Sequence, residues 1–198
     1  GAPPPARDVS AIHEIKGIVY RYNGENIQTE MRPQIRPLEK IPFPARDLAY
    51  IKRGLGMFTS RGCPYKCNFC FITQHWKTVR FFPPEYVVSE MKYLVEKYDA
   101  KHITIFDDLF VQNKKRLRRI VALMKQENIP DYLTFNCNLR TDHVSEETAS
   151  LLKEMGVRDV FLGVESGSHA TLTYLKGGKN EKRNVTVEQN SIAIQILK

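Results

Sequence analysis

Apolar positions along the chain follow two rhythms from residue 54 onward: short β-branched and aromatic runs, and longer stretches with apolar residues every three or four positions. The first predicts strands and the second helices with one buried face. Leu55 to Thr59 reads as a strand, and Pro83-Pro84 opens a helix with Val87, Val88, Met91, Leu94, Val95 and Tyr98 on one stripe. His102 to Phe106 is the next strand, ahead of a helix over about 113–127 carrying Leu117, Ile120, Val121 and Met124. Tyr132 to Asn138 is the third strand. Ser145 is placed to cap the following helix, which bears Leu151, Leu152 and Met155 and stops at Gly156. Asp159 to Val164 is the fourth strand, with a short helical stretch around Leu172 and Leu175 after it. Gly177-Gly178 breaks the chain, and Thr186 with Gln189 forms a capping box for a last helix with Ile192, Ile196 and Leu197.

Four strand-then-helix units predict an α/β fold: a parallel sheet with right-handed crossovers, in the form of a partial barrel. Upstream the texture differs. Gly17 to Tyr22 and Glu25 to Gln28 flank Asn23-Gly24, a strong hairpin signal, and Pro33, Pro37, Pro42 and Pro44 mark a connector. Gly1-Ala2-Pro3-Pro4-Pro5 is stiff and lacks an apolar period. The expected organisation is a linker or disordered edge over 1–13, a hairpin and connector over 14–52 forming the tail of an upstream domain, and the strand-helix core over 53–198.

At 198 residues the chain can hold one cored domain with an appendage. No apolar run is long enough for a membrane span and no secretory pattern opens the chain, so a cytoplasmic, reducing setting is expected. Thirty Lys and Arg against 22 Asp and Glu give a net charge of +8, a balance that invites nucleic acid. The densest basic run, Lys114-Lys115-Arg116-Leu117-Arg118-Arg119, opens a predicted amphipathic helix and reads first as its solvated face, with RNA contact as the alternative.

The chemistry centres on Cys63, Cys67 and Cys70, three of the four cysteines, spaced C-x-x-x-C-x-x-C after the first strand and beside Gly62 and Pro64. Thiolates this close repel one another and oxidise readily unless a soft cation neutralises them. Two occupants fit: a zinc ion recruiting His75 or Cys137 as fourth ligand, or an iron-sulfur cubane with one iron left open. Ligands of parallel α/β sheets bind at the carboxyl ends of the strands. Those ends carry the cysteine loop, Asp107-Asp108, Asn138 with Arg140, and Glu165-Ser166. Other candidates read more plainly: Cys137 as a buried small hydrophobe, Trp76 as loop packing, and Asn184-Val185-Thr186 as an unused glycosylation sequon. His143 and His169 follow strands three and four and are candidate acid-base groups.

The cysteine spacing, with Phe69 before the last cysteine, resembles the signature of the radical S-adenosylmethionine (SAM) enzymes. Gly17 to Arg21 with Asn23-Gly24, Pro42-Phe43-Pro44-Ala45-Arg46-Asp47-Leu48, Phe106-Asp107-Asp108-Leu109-Phe110 and Gly163-Val164-Glu165-Ser166-Gly167-Ser168 narrow the likeness. They resemble the branch that carries a cobalamin-binding domain ahead of the radical domain. The resemblance implies a 4Fe-4S cluster on Cys63, Cys67 and Cys70, whose open iron is chelated by SAM. It implies Phe69 at the adenine, Glu165, with Ser166 beside it, at the ribose hydroxyls, Arg140 at the SAM carboxylate, and Asp107 or Asp108 at the amino group. It further implies an external electron donor and reductive cleavage of SAM to a 5′-deoxyadenosyl radical that abstracts hydrogen from a small-molecule substrate. In the narrower branch that step serves methyl transfer with cobalamin, held by a domain outside these residues. By the same likeness the chain is expected to be a central piece of a longer protein, with an unpaired sheet edge.

Overall fold

In a computed structural model, residues 11–48, 54–76, 78–177 and 185–198 are described. The expectations for residues 1–10, Gly178 and Asn184 lie outside them. The chain divides into two compact units, Gly1–Arg36 and Pro37–Lys198.

The smaller unit contains the expected hairpin. Strands β1 (Val19–Tyr22) and β2 (Glu25–Gln28) pair antiparallel, from Val19 opposite Gln28 to Tyr22 opposite Glu25. Asn23 and Gly24 take φ of 49° and 85°, the two left-handed positions that a tight two-residue hairpin loop demands.

The larger unit is built on a parallel sheet in the order β3–β6–β7–β8, formed by Leu55–Met57, His102–Ile105, Thr134–Arg140 and Val157–Gly163. Strand alternation turns Ile103, Ile105, Phe135, Cys137 and Leu139 into the core, while Thr104, Asn136 and Asn138 are only half-buried. A single helical turn, α1 (Ile72–His75), follows the last of the clustered cysteines. Helices α2 (Pro84–Tyr98), α3 (Lys114–Gln126) and α4 (Glu146–Met155) add Val87, Met91, Leu94, Leu117, Ile120, Met124, Leu152 and Met155 to the core. The expected caps form, Ser145 accepting from the Thr148 N–H and Thr186 and Gln189 making the reciprocal box, and Asn113 also caps α3, accepting from the Arg116 N–H. Two further helices follow, α5 (His169–Lys176) and α6 (Val187–Leu197).

Several expectations shift. Gly156, at φ 88°, turns the chain straight from α4 into β8, which therefore starts at Val157 rather than Asp159. Strand β7 begins two residues late and extends to Arg140, because Tyr132 and Leu133 close a 3-10 turn at Ile129–Asp131. The proline connector is not peripheral to the larger unit. Leu38 joins its core, and Arg46 is buried against Glu90 at 2.6 Å and donates to the Gly56 carbonyl at 2.7 Å. The division between the two compact units falls after Arg36. An unforeseen antiparallel ribbon, β4 (Ser60–Arg61) with β5 (Arg80–Phe81), closes the two ends of the cysteine loop, and Trp76 lies between Arg61 and Arg80 there.

The basic run is largely engaged. Lys114 and Arg118 pair with Glu147 on α4, Arg119 pairs with Glu85 on α2 at 3.0 Å, and Arg116 is half-buried, bonded to the Phe82 and Thr59 carbonyls. Such exposed pairs contribute little stability, but they break up the cationic stripe that RNA would need. Among the described residues β3 and β8 each pair on one side only. No helix among them is long and apolar enough to cross a membrane.

Candidate metal centre

The loop that follows β6 organises the cysteines. Asp107 is fully buried, and its carboxylate accepts four hydrogen bonds: from the Thr59 N–H (2.6 Å) and hydroxyl (2.5 Å), and from the Ser60 N–H (3.1 Å) and hydroxyl (2.6 Å). Burial pushes its pKa up, against the downward pull of those donors. Arg116 completes the grip on Thr59, donating to its carbonyl at 2.6 Å and to its hydroxyl at 3.3 Å. One residue further along, Asp108 accepts the Gly62 N–H at 3.0 Å and Gln112 donates to the Gly62 carbonyl at 2.9 Å. Gly62 needs to be glycine twice over: its φ is +95°, and a Cβ would stand 2.8 Å from the Thr78 carbonyl oxygen.

Past this root, Cys63, Cys67 and Cys70 line one cavity of about 340 Å³ at the carboxyl ends of the strands. Phe69, Asp108, Asn138, Arg140, Phe161, Glu165 and Lys176 share its wall. Burial raises the Cys63 thiol, with the neighbouring thiols adding to the rise against a backbone hydrogen bond from Tyr65. Burial also raises Cys67, opposed by the Arg140 and Lys176 cations. Crowded thiols of this kind become stable thiolates when a soft cation is bound between them.

The donor set separates the two candidate occupants. Thiolates on one zinc stand about 3.8 Å apart, from Zn–S bonds of about 2.3 Å, whereas thiolates on three irons of a cubane stand farther apart. No group of three His, Cys, Asp or Glu side chains among the described residues is gathered closely enough for a single ion. His75, the zinc candidate, is absent from the cavity wall and packs on Trp76 with ring centroids 4.4 Å apart. Cys137 is buried in the sheet with its thiol pushed up to about 12, as a small hydrophobe would be. Three thiols and an open position fit an iron-sulfur cubane, and neither His75 nor Cys137 lines the cavity to serve zinc as the fourth ligand.

Arg140, at the end of β7, stands with its guanidinium carbon 3.9 Å from the centre of the Tyr65 ring. Its Nε donates to Asp142 at 2.8 Å and its Nη1 reaches Cys67 Sγ at 3.3 Å. The Tyr65 hydroxyl meets His143 Nε2 at 2.7 Å, so His143 supports this stack and does not face the cavity. Glu165, just beyond β8, holds a left-handed φ of 61°, an unusual conformation for a residue with a side chain. Its Oε1 lies 3.5 Å from the Nζ of Lys176, the last residue of α5. Phe69 is exposed at the cavity mouth.

Most of the sequence-derived set therefore converges. Asp107 and Ser166 do not line the cavity: Asp107 is spent on the loop root, and the Ser166 hydroxyl accepts the Ser168 N–H at 3.1 Å, holding the turn into α5. His169 lies on the surface paired with Glu188. Sequence reasoning missed Lys176, Tyr65, Gln112 and Arg116. Each acts through contacts with backbone or ring atoms distant in sequence, and only the Lys176-Gly177 helix end carried a local hint, a cation at a helix C-terminus.

Comparison with known proteins bears on the fold and the family. An uncharacterized methyltransferase of Pyrococcus horikoshii is 33% identical over 196 aligned positions, covering 93% of this chain and 41% of that protein. The cobalamin-dependent S-adenosylmethionine radical enzyme OxsB, with aqua-cobalamin and SAM bound, superposes with a TM-score of 0.76 at 24% identity, over 94% of this chain and 28% of that one. The radical SAM methyltransferase TsrM of Kitasatospora setae gives a TM-score of 0.60 at 21% identity, over 72% of this chain and 28% of its own. The chain thus spans less than half the length of each. Residues 57–188, two thirds of the chain, match the model of the Radical SAM superfamily, whose members use a 4Fe-4S cluster and SAM, and the chain belongs to that superfamily.

Proposed function

We propose that this chain is the cluster- and SAM-binding core of a radical SAM methyltransferase. The observation that carries the reading is the convergence of Cys63, Cys67 and Cys70 with Arg140 and Glu165 on one cavity at the strand ends. When bound, the cluster supplies an electron that cleaves SAM to methionine and a 5′-deoxyadenosyl radical, which takes hydrogen from a small-molecule substrate.

The chain's own residues bind and orient. Arg140, with Asp142 fixing its Nε and Tyr65 beneath its plane, presents its guanidinium fork to the SAM carboxylate. Glu165 accepts hydrogen bonds donated by the two ribose hydroxyls. Phe69, exposed at the mouth, covers the adenine and excludes water from the cleavage site. Asp108 is the carboxylate left on the cavity wall for the SAM amino group, since Asp107 is fully engaged below. Methyl transfer with cobalamin held elsewhere in the longer protein is supported by the relatives named above. The reading includes an external one-electron donor and a reducing, cytoplasmic setting, which oxidation-prone thiolates favour.

The test is product analysis. Anaerobically reconstituted protein, reduced with dithionite and given SAM, should release 5′-deoxyadenosine and methionine in equal amounts, and Cys67→Ala should release neither. An intact cluster that binds SAM yet yields no 5′-deoxyadenosine under any reductant sinks the proposal.

A further inference from the structure

A buried lysine outside the expected set sits where the two halves of the cavity meet. Lys176 closes α5 with its side chain 3% exposed, and burying an ammonium is unfavourable unless its donors and charge are answered. Its Nζ donates to the Gly163 carbonyl, the last residue of β8, and lies 3.5 Å from Glu165 Oε1. Both contacts fall on the turn in which Glu165 is held at φ 61°, a conformation that persists only when its surroundings fix it. Asn190 fastens the same turn from α6, donating to the Val164 carbonyl at 2.9 Å.

The other end of the connection is the cysteine loop. Asn68, between Cys67 and Cys70, donates its N–H to the Leu175 carbonyl at 2.9 Å, and its side-chain amide donates to the Tyr174 carbonyl. The last turn of α5 is therefore tied to the loop by Asn68 and to the Glu165 turn by Lys176. Lys176 and Cys67 line the same cavity, in which Arg140, the other buried cation, already stands with Nη1 3.3 Å from Cys67 Sγ.

We infer that Lys176 is a positioning residue: its ammonium sets the Glu165 carboxylate for a sugar hydroxyl pair and adds a second positive charge to the cavity that the three cysteines line. This rests on the reading that the cavity takes a cluster and SAM. A lysine that merely fills space would be replaceable by any side chain of similar length. A positioning cation would not, and its loss has two signatures that packing alone does not produce. Glu165, no longer oriented, binds the ribose less well, and a cluster deprived of a nearby positive charge becomes harder to reduce.

The test uses reconstituted wild type, Lys176→Gln and Lys176→Arg, with SAM affinity measured by calorimetry and the cluster midpoint potential by EPR-monitored titration. Gln keeps a donor for the Gly163 carbonyl and removes the charge. K176Q should load iron and sulfide normally, bind SAM about tenfold more weakly and show a more negative potential, while K176R recovers most of both. K176Q that matches wild type in affinity and potential overturns the inference. If K176Q does not load a cluster, K176R decides. Recovery of loading and affinity supports the cation, and equal failure makes Lys176 a packing element and overturns the assignment. Wild type that loads no cluster or binds no SAM instead overturns the underlying cofactor reading.

Discussion

Asp107 accepts the Thr59 N–H at 2.6 Å and the Thr59 hydroxyl at 2.5 Å, joining the end of β6 to the root of the cysteine loop. Two more donors come from Ser60, so every favourable position on this buried carboxylate is used within the protein. Asp107→Asn sets an amide N–H₂ against these donors. The expected loss is about 2–4 kcal/mol of unfolding free energy, read from urea denaturation, together with reduced iron incorporation. Stability within about 0.5 kcal/mol of wild type would show that the four bonds do not support the loop.

Gly62 offers a backbone test of the same root. Gly62→Ala combines a positive φ with a Cβ 2.8 Å from a carbonyl oxygen, whereas a methyl group added at Gly167 would meet nothing within 4 Å. G62A is expected to cost about 1–3 kcal/mol and to lower cluster content, and G167A to stay within about 0.5 kcal/mol. Equal effects at the two sites would argue that the loop root is freely adjustable.

Arg140→Lys separates charge from shape. A lysine keeps the cation near Cys67, but it cannot bond Asp142, lie flat on Tyr65 and present a fork to a carboxylate together. The cluster should still assemble, while SAM affinity falls about tenfold in calorimetric titration. Undiminished affinity would remove Arg140 from the carboxylate role.

His143 sets an acid limit. Burial lowers its pKa, and Asp142 and a backbone bond only partly offset this. A histidine with a depressed folded-state pKa binds more protons when unfolded, so stability rises with pH. Its contribution is complete above the unfolded value of about 6.5 and is lost as pH falls through the lower folded value. The urea midpoint of wild type should drop between about pH 7.5 and about pH 5.5 more steeply than that of His143→Gln, a window that brackets the ordinary imidazole titration. Parallel profiles would place the acid sensitivity elsewhere.

What the sequence made legible were features written in local patterns. The stripe of α3, the Ser145 and Thr186 caps and the Asn23-Gly24 turn rest on neighbours a few residues apart, and all form as read. The cysteines, Arg140 and Glu165 were legible because strand order alone puts strand ends on one rim, and they meet in one cavity. The two-residue strands β4 and β5 have no period to read, and their partners lie about 20 residues apart, as in Ser60 opposite Phe81. Asp107 and Asp108 are adjacent and chemically alike, so only the direction each takes at the end of β6 assigns one to the loop root and the other to the cavity. Arg46 was hidden among prolines, since its buried partner Glu90 lies 44 residues away on α2.

The EPR spectrum of the anaerobically reconstituted, dithionite-reduced protein before and after SAM, taken with its iron, sulfide and zinc content, tests the cluster-and-SAM cavity most directly. A cubane on the three cysteines predicts about four irons and four sulfides per chain, a signal that changes on adding SAM, and loss of both in Cys63→Ala. Stoichiometric zinc in place of iron, or a cubane signal indifferent to SAM while Cys63, Cys67 and Cys70 are intact, would contradict it.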